Sequence, residues 1–373
     1  EVEVTTEDGY ILRLFILWDK STLNPQLPPV YLQHGYGSSG VSWLLHEDFS
    51  GAYVLCELGH KVYILNGRGN PLSLKHQRVH HQSYEFWDFS FEDMGYDTVA
   101  TVEYMAKKHP GQKLVYIGHS QGAVQIVTAL ADPRFKERIE KHLLKAYALT
   151  PVICTARTTS PLMRFSTDLL GGKGFEIMEF ARNKLGYYHF GKLRLPENLM
   201  EDIREVILNK LCGIHHNLCF WAFWASDSSN EHNSMHMFGT WNRYHPTSVP
   251  MKGASHFSQI ARDAKTKNCL VRRFDYGREE NLLRYGKEDP PVYDFSTIKI
   301  PLMTIFGTED KYYSVEDIQD YIDHFSSLPH HTHKTYPGLG HMSFTFGHDT
   351  VEFFKFLHKD ILETTRHHTQ PKN

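Results

Sequence analysis

The sequence predicts an α/β fold: a mostly parallel central sheet flanked by helices, with a helical insertion ahead of the last strands. Three observations predict it. Short apolar runs alternate with helical stretches through the first 150 residues, the pattern of strands joined by helical crossovers. A Gly-x-Ser-x-Gly pentapeptide, Gly118-His119-Ser120-Gln121-Gly122, stands between one such run and a helix-like stretch. The alternation stops near residue 151 and resumes after Pro290-Pro291. Right-handed crossovers then restrict the topology.

The elements follow in order. Glu1-Val2-Glu3-Val4-Thr5 reads as a strand. Further strands are expected at 10–17, 30–33, 62–65, 113–118 and 145–150, rich in β-branched and aliphatic residues, with helices at 94–109 and 121–131. The middle changes character: helices are expected at 162–170, 175–185, 196–210 and 256–265, joined by polar and aromatic loops. The α/β pattern returns as strand 301–306, helix 315–325, strand 333–336 and helix 350–362. The domain reading is therefore a core in two parts, 1–150 and 295–363, a helical cap or lid insertion at 151–294, and a polar, disordered tail at 364–373.

Composition narrows the function. A net charge of −3 with both signs mixed argues against a nucleic-acid surface or a polybasic membrane anchor. No apolar run is long enough to span a bilayer. The 25 histidines are too many to carry weight by number alone. No Cys-x-x-Cys pair or His-Glu-x-x-His helix supports a metal site, and no cofactor is expected. Of the five cysteines, Cys56 and Cys154 read as buried small hydrophobes, and Cys212 and Cys219 are near enough to close a short loop by a disulfide that geometry would decide. No leader segment and no Asn-x-Ser/Thr sequon is legible.

The pentapeptide carries the chemistry. At the tip of a strand–turn–helix corner, a serine hydroxyl projects above the sheet beside the free N–H groups of a helix N-terminus. A serine is a weak nucleophile without a base, and the base needs an orienting carboxylate. The returning core supplies both. Strand 301–306 runs into Gly307-Thr308-Glu309-Asp310, where either Asp310 or Glu309 could orient the base. Strand 333–336 is followed by Pro337-Gly338-Leu339-Gly340-His341, whose histidine competes with His331, His333 and His348. Both loops fall at strand C-terminal ends, where open α/β sheets bind ligands. Acyl transfer also needs N–H donors for the oxyanion. The expected donors are the backbone N–H of Gln121, after the serine, and that of Tyr36 in His34-Gly35-Tyr36-Gly37-Ser38-Ser39; a plain glycine turn is the alternative for the second.

Further segments extend the pattern: Asn66-Gly67-Arg68-Gly69-Asn70, Phe86-Trp87-Asp88-Phe89-Ser90 with Tyr96-Asp97, Phe274-Asp275-Tyr276-Gly277, Pro290-Pro291-Val292-Tyr293 and Gly340-His341-Met342-Ser343-Phe344. Together with the elbow, the chain resembles the acid lipases, the group of gastric lipase, lysosomal acid lipase and the steryl ester hydrolases, over nearly its whole length. The resemblance implies an α/β-hydrolase fold with a helical cap, and a triad of Ser120, Asp310 and His341. It implies hydrolysis of neutral lipid esters, triacylglycerol or sterol ester, at a lipid–water interface. It also implies a secreted or lysosomal (endomembrane-lumen) residence, with a lipid-droplet or membrane-associated one as the alternative. The family carries an aliphatic residue where this chain has Tyr36; a backbone donor survives that change. A short-chain esterase or acyltransferase on the same scaffold, and an inactive lipid-binding protein, are the rival functions. Within the insertion, Leu218-Cys219-Phe220-Trp221-Ala222-Phe223-Trp224-Ala225 reads as an acyl channel or as a buried helix, and Met235, Met237 and Phe238 as lid residues.

Overall fold

A computed structural model describes residues 1–45, 49–171, 173–190, 232–234, 237, 240–241, 244–267 and 269–369. The expected helix at 196–210, the run 218–225, Cys212, Cys219, Met235 and Phe238 lie outside the described residues.

The strands in chain order are β1 (Val2–Thr5), β2 (Tyr10–Leu17), β3 (Val30–Gln33), β4 (Val62–Asn66), β5 (Lys75–His76), β6 (Leu114–His119), β7 (Leu143–Leu149), β8 (His189–Phe190), β9 (Val249–Pro250), β10 (Leu302–Gly307) and β11 (His331–Tyr336). The main sheet runs β1-β2-β4-β3-β6-β7-β10-β11, with β5 on β2. β1, β2 and β5 are antiparallel to their partners, whereas β4, β3, β6, β7, β10 and β11 pair in parallel. Strands β3, β4, β6, β7 and β10 are buried at every residue. That is why they read as continuous apolar runs rather than alternating ones.

Helices cover both faces. On one, Val99, Val102 and Met105 of helix Gly95–Lys108 and Val124, Val127 and Leu130 of helix Gln121–Ala131 pack with Tyr31, Leu65 and Tyr116 of the sheet. On the other, Ala52, Val54 and Leu55 of helix Gly51–Glu57 join Phe353, Phe354, Leu357 and Ile361 of the last helix over Leu32, Ile64 and Ile117. The last helix spans Thr350–Thr369, so residues 364–369 of the tail expected to be disordered are helical. The physical reason is local: Thr364 and Thr365 donate their hydroxyls to the carbonyls of Asp360 and Ile361, each at 2.8 Å, continuing a helix anchored by its apolar face.

Among the described residues between β7 and β10 are helices Pro161–Leu170, Gly174–Phe180 and Met251–Lys267, which overlap three of the expected ones, and Arg278–Tyr285, which was not expected. Ser160 caps the first through its side chain, with Pro161 in the first turn. Two further features were not foreseen. β8 and β9 form a separate antiparallel pair too short to show an alternating pattern, and Cys154 is bonded to Cys269. Cys154 is therefore no free buried thiol. Its partner lies 115 residues away, a separation that leaves no spacing signal. The bond ties the chain just past β7 to the chain just past helix Met251–Lys267. Cys56 is free and buried, as read.

Candidate active site

Ser120 stands between β6 and helix Gln121–Ala131 with φ 54° and ψ −115°. That is left-handed backbone, which a non-glycine residue adopts only when its surroundings impose it. Ser120 N donates to Leu149 O (2.8 Å), and Ser120 O accepts from Ala123 and Val124, so both sides of the corner are fixed. Strand and helix close tightly here: a Cβ on Gly118 would lie 2.5 Å from Gly122 O. A Cβ on Gly122 would in turn lie 2.7 Å from Gln33 O, so each glycine of the motif is required by a different close neighbour.

The early loop after β3 lies against this corner. A Cβ on Gly35 would fall 2.9 Å from Ser120 Cβ, so only glycine lets the two segments approach. His34 Nε2 accepts from Gly67 N (3.1 Å), which leaves Nδ1–H to donate to Gly35 O (2.8 Å). Burial lowers the His34 pKa to about 4, so the ring is a neutral strut. The β4 loop supporting it is pinned by Arg68, whose Nε donates to Asp97 Oδ1 (2.7 Å) and whose NH1 donates to Asp8 Oδ2 (2.6 Å). From the other side, residues of the insertion clasp the loop. Thr247 N donates to Gly37 O (2.8 Å), Thr247 Oγ1 to Ser38 O (2.9 Å) and Tyr36 OH to Pro250 O (2.8 Å). A cavity of about 20 Å³ lies here, lined by Tyr36, Gln121, Phe89, Met94, Val249 and Pro250 among others.

The downstream partners converge as a pair. His341 Nδ1 donates to Asp310 Oδ2 at 2.7 Å, and both residues are 3% exposed. The other carboxylate oxygen accepts from Tyr312 N (2.8 Å), and the Tyr312 ring lies edge-on to His341 at 4.5 Å. A carboxylate on Nδ1 leaves Nε2 as the ring's free lone pair. Glu309, the rival acid, is exposed. Of the rival histidines, His331 contacts Thr304 Oγ1 (3.0 Å), His348 contacts Ser234 Oγ (3.1 Å) and His333 is exposed. The His341 loop reaches the corner through His119: His119 Nε2 lies 2.8 Å from His341 O, and the two rings are 4.9 Å apart. Among the described residues, Ser120 Oγ makes no hydrogen bond in this conformer. Such contacts often tighten only when substrate is bound.

The structure thus brings Ser120, Gln121, Tyr36, Asp310 and His341 to one end of the sheet, at the C-terminal ends of β3, β6, β10 and β11. Sequence reasoning missed His119, which stands at an "x" of the motif, and Thr247, in a segment with no signature of its own. Among the described residues no group of three or more His, Cys, Asp or Glu is placed to hold a metal ion. No described helix is long and apolar enough to cross a membrane.

Comparison with known proteins agrees with this geometry. Residues 1–47 match the family model for a partial alpha/beta-hydrolase lipase region, and residues 28–152 that for the alpha/beta hydrolase fold. Gastric triacylglycerol lipase of Rattus norvegicus is 29% identical over 362 residues, 94% of this chain and 85% of that protein. Lysosomal acid lipase/cholesteryl ester hydrolase of Macaca fascicularis is 28% identical over 94% of this chain and 84% of its own length. Among solved structures, the monoacylglycerol lipase of Paleococcus ferrophilus aligns with a TM-score of 0.51 at 14% identity, over 95% of this chain and 99% of that one, a likeness of fold. With the elbow, the early loop and the late acid–histidine pair on one sheet edge, the chain has the α/β-hydrolase fold and is similar to the acid lipases along 94% of its length.

Proposed function

We propose that this protein is a serine hydrolase that cleaves carboxylic esters of neutral lipids, triacylglycerol or sterol ester, through an acyl-enzyme intermediate. One observation carries the reading: a buried carboxylate, Asp310, hydrogen-bonded at 2.7 Å to a buried imidazole, His341, whose loop is fastened to the corner that bears Ser120. His341 Nε2 takes the Ser120 proton as Oγ attacks the ester carbonyl. The N–H groups of Tyr36 and Gln121 receive the oxyanion. Asp310 holds the tautomer and stabilises the imidazolium that forms. His341 returns its proton to the departing alcohol, and water then releases the fatty acid by the same steps in reverse roles. None of these steps calls on a cofactor.

Residues 151–294 act as a cap over this end of the sheet, and their clasp on the 36–38 loop supports that reading. The substrate enters from a lipid–water interface. A secreted or lysosomal residence fits the Cys154–Cys269 bond, since disulfides persist in oxidising compartments. The bulk of Tyr36, where the acid lipases carry an aliphatic residue, favours a second reading, a preference for short acyl chains. A substrate panel separates the two: emulsified triacylglycerol and sterol ester against soluble short-chain esters, at acidic and neutral pH. Turnover of emulsified long-chain ester supports the first reading. Turnover confined to soluble short-chain esters replaces it with the second.

A further inference from the structure

A buried imidazole that the proposed chemistry leaves unused lies beside the one it uses. His119 is the last residue of β6, directly before Ser120, and is 4% exposed. Its Nε2 is 2.8 Å from the main-chain oxygen of His341. A carbonyl can only accept, so the ring holds its proton on Nε2. Its other nitrogen faces Gly35, whose Cβ position is 3.3 Å from Nδ1. One side chain therefore touches the early loop, the serine corner and the base loop.

We infer that His119 is a positioning residue: its Nε2–H bond to the His341 carbonyl sets the distance between the imidazole of His341 and Ser120 Oγ. The inference rests on the proposed triad. Other bonds of the base loop lead away from the corner. Glu309 N bonds Leu339 O (2.9 Å), Gly338 N bonds Thr308 Oγ1 (3.0 Å) and Gly340 N bonds Ser343 Oγ (2.9 Å). Those contacts hold the loop to β10 and to its own following turn. The Asp310 bond fixes the plane of the His341 ring but joins it to the loop after β10 rather than to β6. The His119 bond runs from the main chain of the base to the nucleophile's own strand.

The chemistry also calls for a neutral donor here. His341 becomes an imidazolium when it takes the serine proton, and a second cation with ring centroids 4.9 Å apart would oppose that step. Burial, with the His341 ring adding to it, lowers the His119 pKa to about 3, so the ring donates without carrying charge. A glutamine amide is likewise a neutral donor of comparable reach. An aliphatic side chain is not.

The test compares His119→Ala, His119→Gln and Ser120→Ala by steady-state hydrolysis of a soluble chromogenic ester and by the rate of phosphonate labelling. His119→Ala is expected to lower kcat and the labelling rate about 10- to 100-fold, with KM within about threefold, since misplacing reacting groups by about 1 Å costs on that order. His119→Gln is expected to recover most of both rates. If the alanine variant does not fold, His119→Leu fills the space without a donor and carries the same expectation. A role confined to stability would lower the melting temperature of all His119 variants while leaving kcat and labelling intact in the folded fraction. That result, with Ser120→Ala inactive, overturns the role of His119 alone. A glutamine variant as slow as the alanine one does so as well. Hydrolysis surviving in Ser120→Ala overturns the triad, and the inference with it.

Discussion

Acidification from pH 7 to pH 5 should cost the fold about 2 kcal/mol through His256 alone. His256 lies where the insertion meets the core. Its ring is stacked on Phe91 at 4.1 Å and meets Phe274 edge-on. Nε2 donates to Arg272 O (3.0 Å), and Nδ1 accepts from Ser90 Oγ (2.9 Å). A second proton would have to go onto Nδ1, where it would reverse the Ser90 bond and place a charge on a buried ring. Burial, reinforced by the nearby Lys252 ammonium and opposed by the Arg272 carbonyl and by Asp275, lowers the pKa to about 3. The unfolded value is about 6.5. The folded pKa is depressed, so the stabilisation is complete above 6.5 and is lost as pH falls through 6.5 toward 3. Integrated between pH 7 and pH 5, that loss is about 2 kcal/mol, and moving the folded value by about one unit barely changes it. Urea unfolding of the parent and of His256→Gln at both pH values measures it. Glutamine keeps an amide at the site but does not titrate, so the parent should lose about 2 kcal/mol more than the variant. Equal losses would refute the argument. His34 and His60, each lowered to about 4 by burial, act with the same sign. Glu92, raised to about 7 by burial, acts oppositely: its contribution is present below the unfolded carboxylate value and is lost as pH rises through 7.

Other perturbations have equally definite outcomes. Arg68→Leu leaves Asp97, whose side chain is fully buried, without its cation; a loss of about 3–5 kcal/mol is expected by thermal or urea unfolding, and a change under about 1 kcal/mol would contradict the buried pairing. Asp310→Asn can present an amide N–H to Nδ1 and trap the wrong His341 tautomer, so kcat should fall about 10⁴-fold with the circular dichroism spectrum unchanged. Replacing Cys154 and Cys269 together by serine opens a loop of 115 residues and should cost about 2–5 kcal/mol, read as a lower melting temperature.

The core was legible because its signals are local. Fully buried strands such as β3 and β6 appear as short aliphatic runs, and the glycines beside Ser120 mark a corner too tight for a side chain. The proposed acid could be read to within one residue; burial separates Asp310 from exposed Glu309, and burial is a property of the assembled sheet. Long-range contacts were not legible. Cys154 meets Cys269, and His119 meets the His341 carbonyl across 222 residues, without a spacing rule to announce either. Helix Arg278–Tyr285 did carry a readable signature, with Glu279 and Glu280 in its first turn, Arg284 in its last and Gly286 in the left-handed position after it. The polar helix end to Thr369 misled because composition was weighed above the apolar stripe that precedes it.

The central claim is that Ser120 carries the acyl group during turnover. Acid quenching during hydrolysis of a slow long-chain ester, followed by peptide mass analysis, tests it directly. The expected result is a fatty-acyl mass on the peptide containing Ser120, formed in the parent and absent in Ser120→Ala. An acyl mass on a different residue, or turnover at the parent rate by Ser120→Ala, would contradict the account.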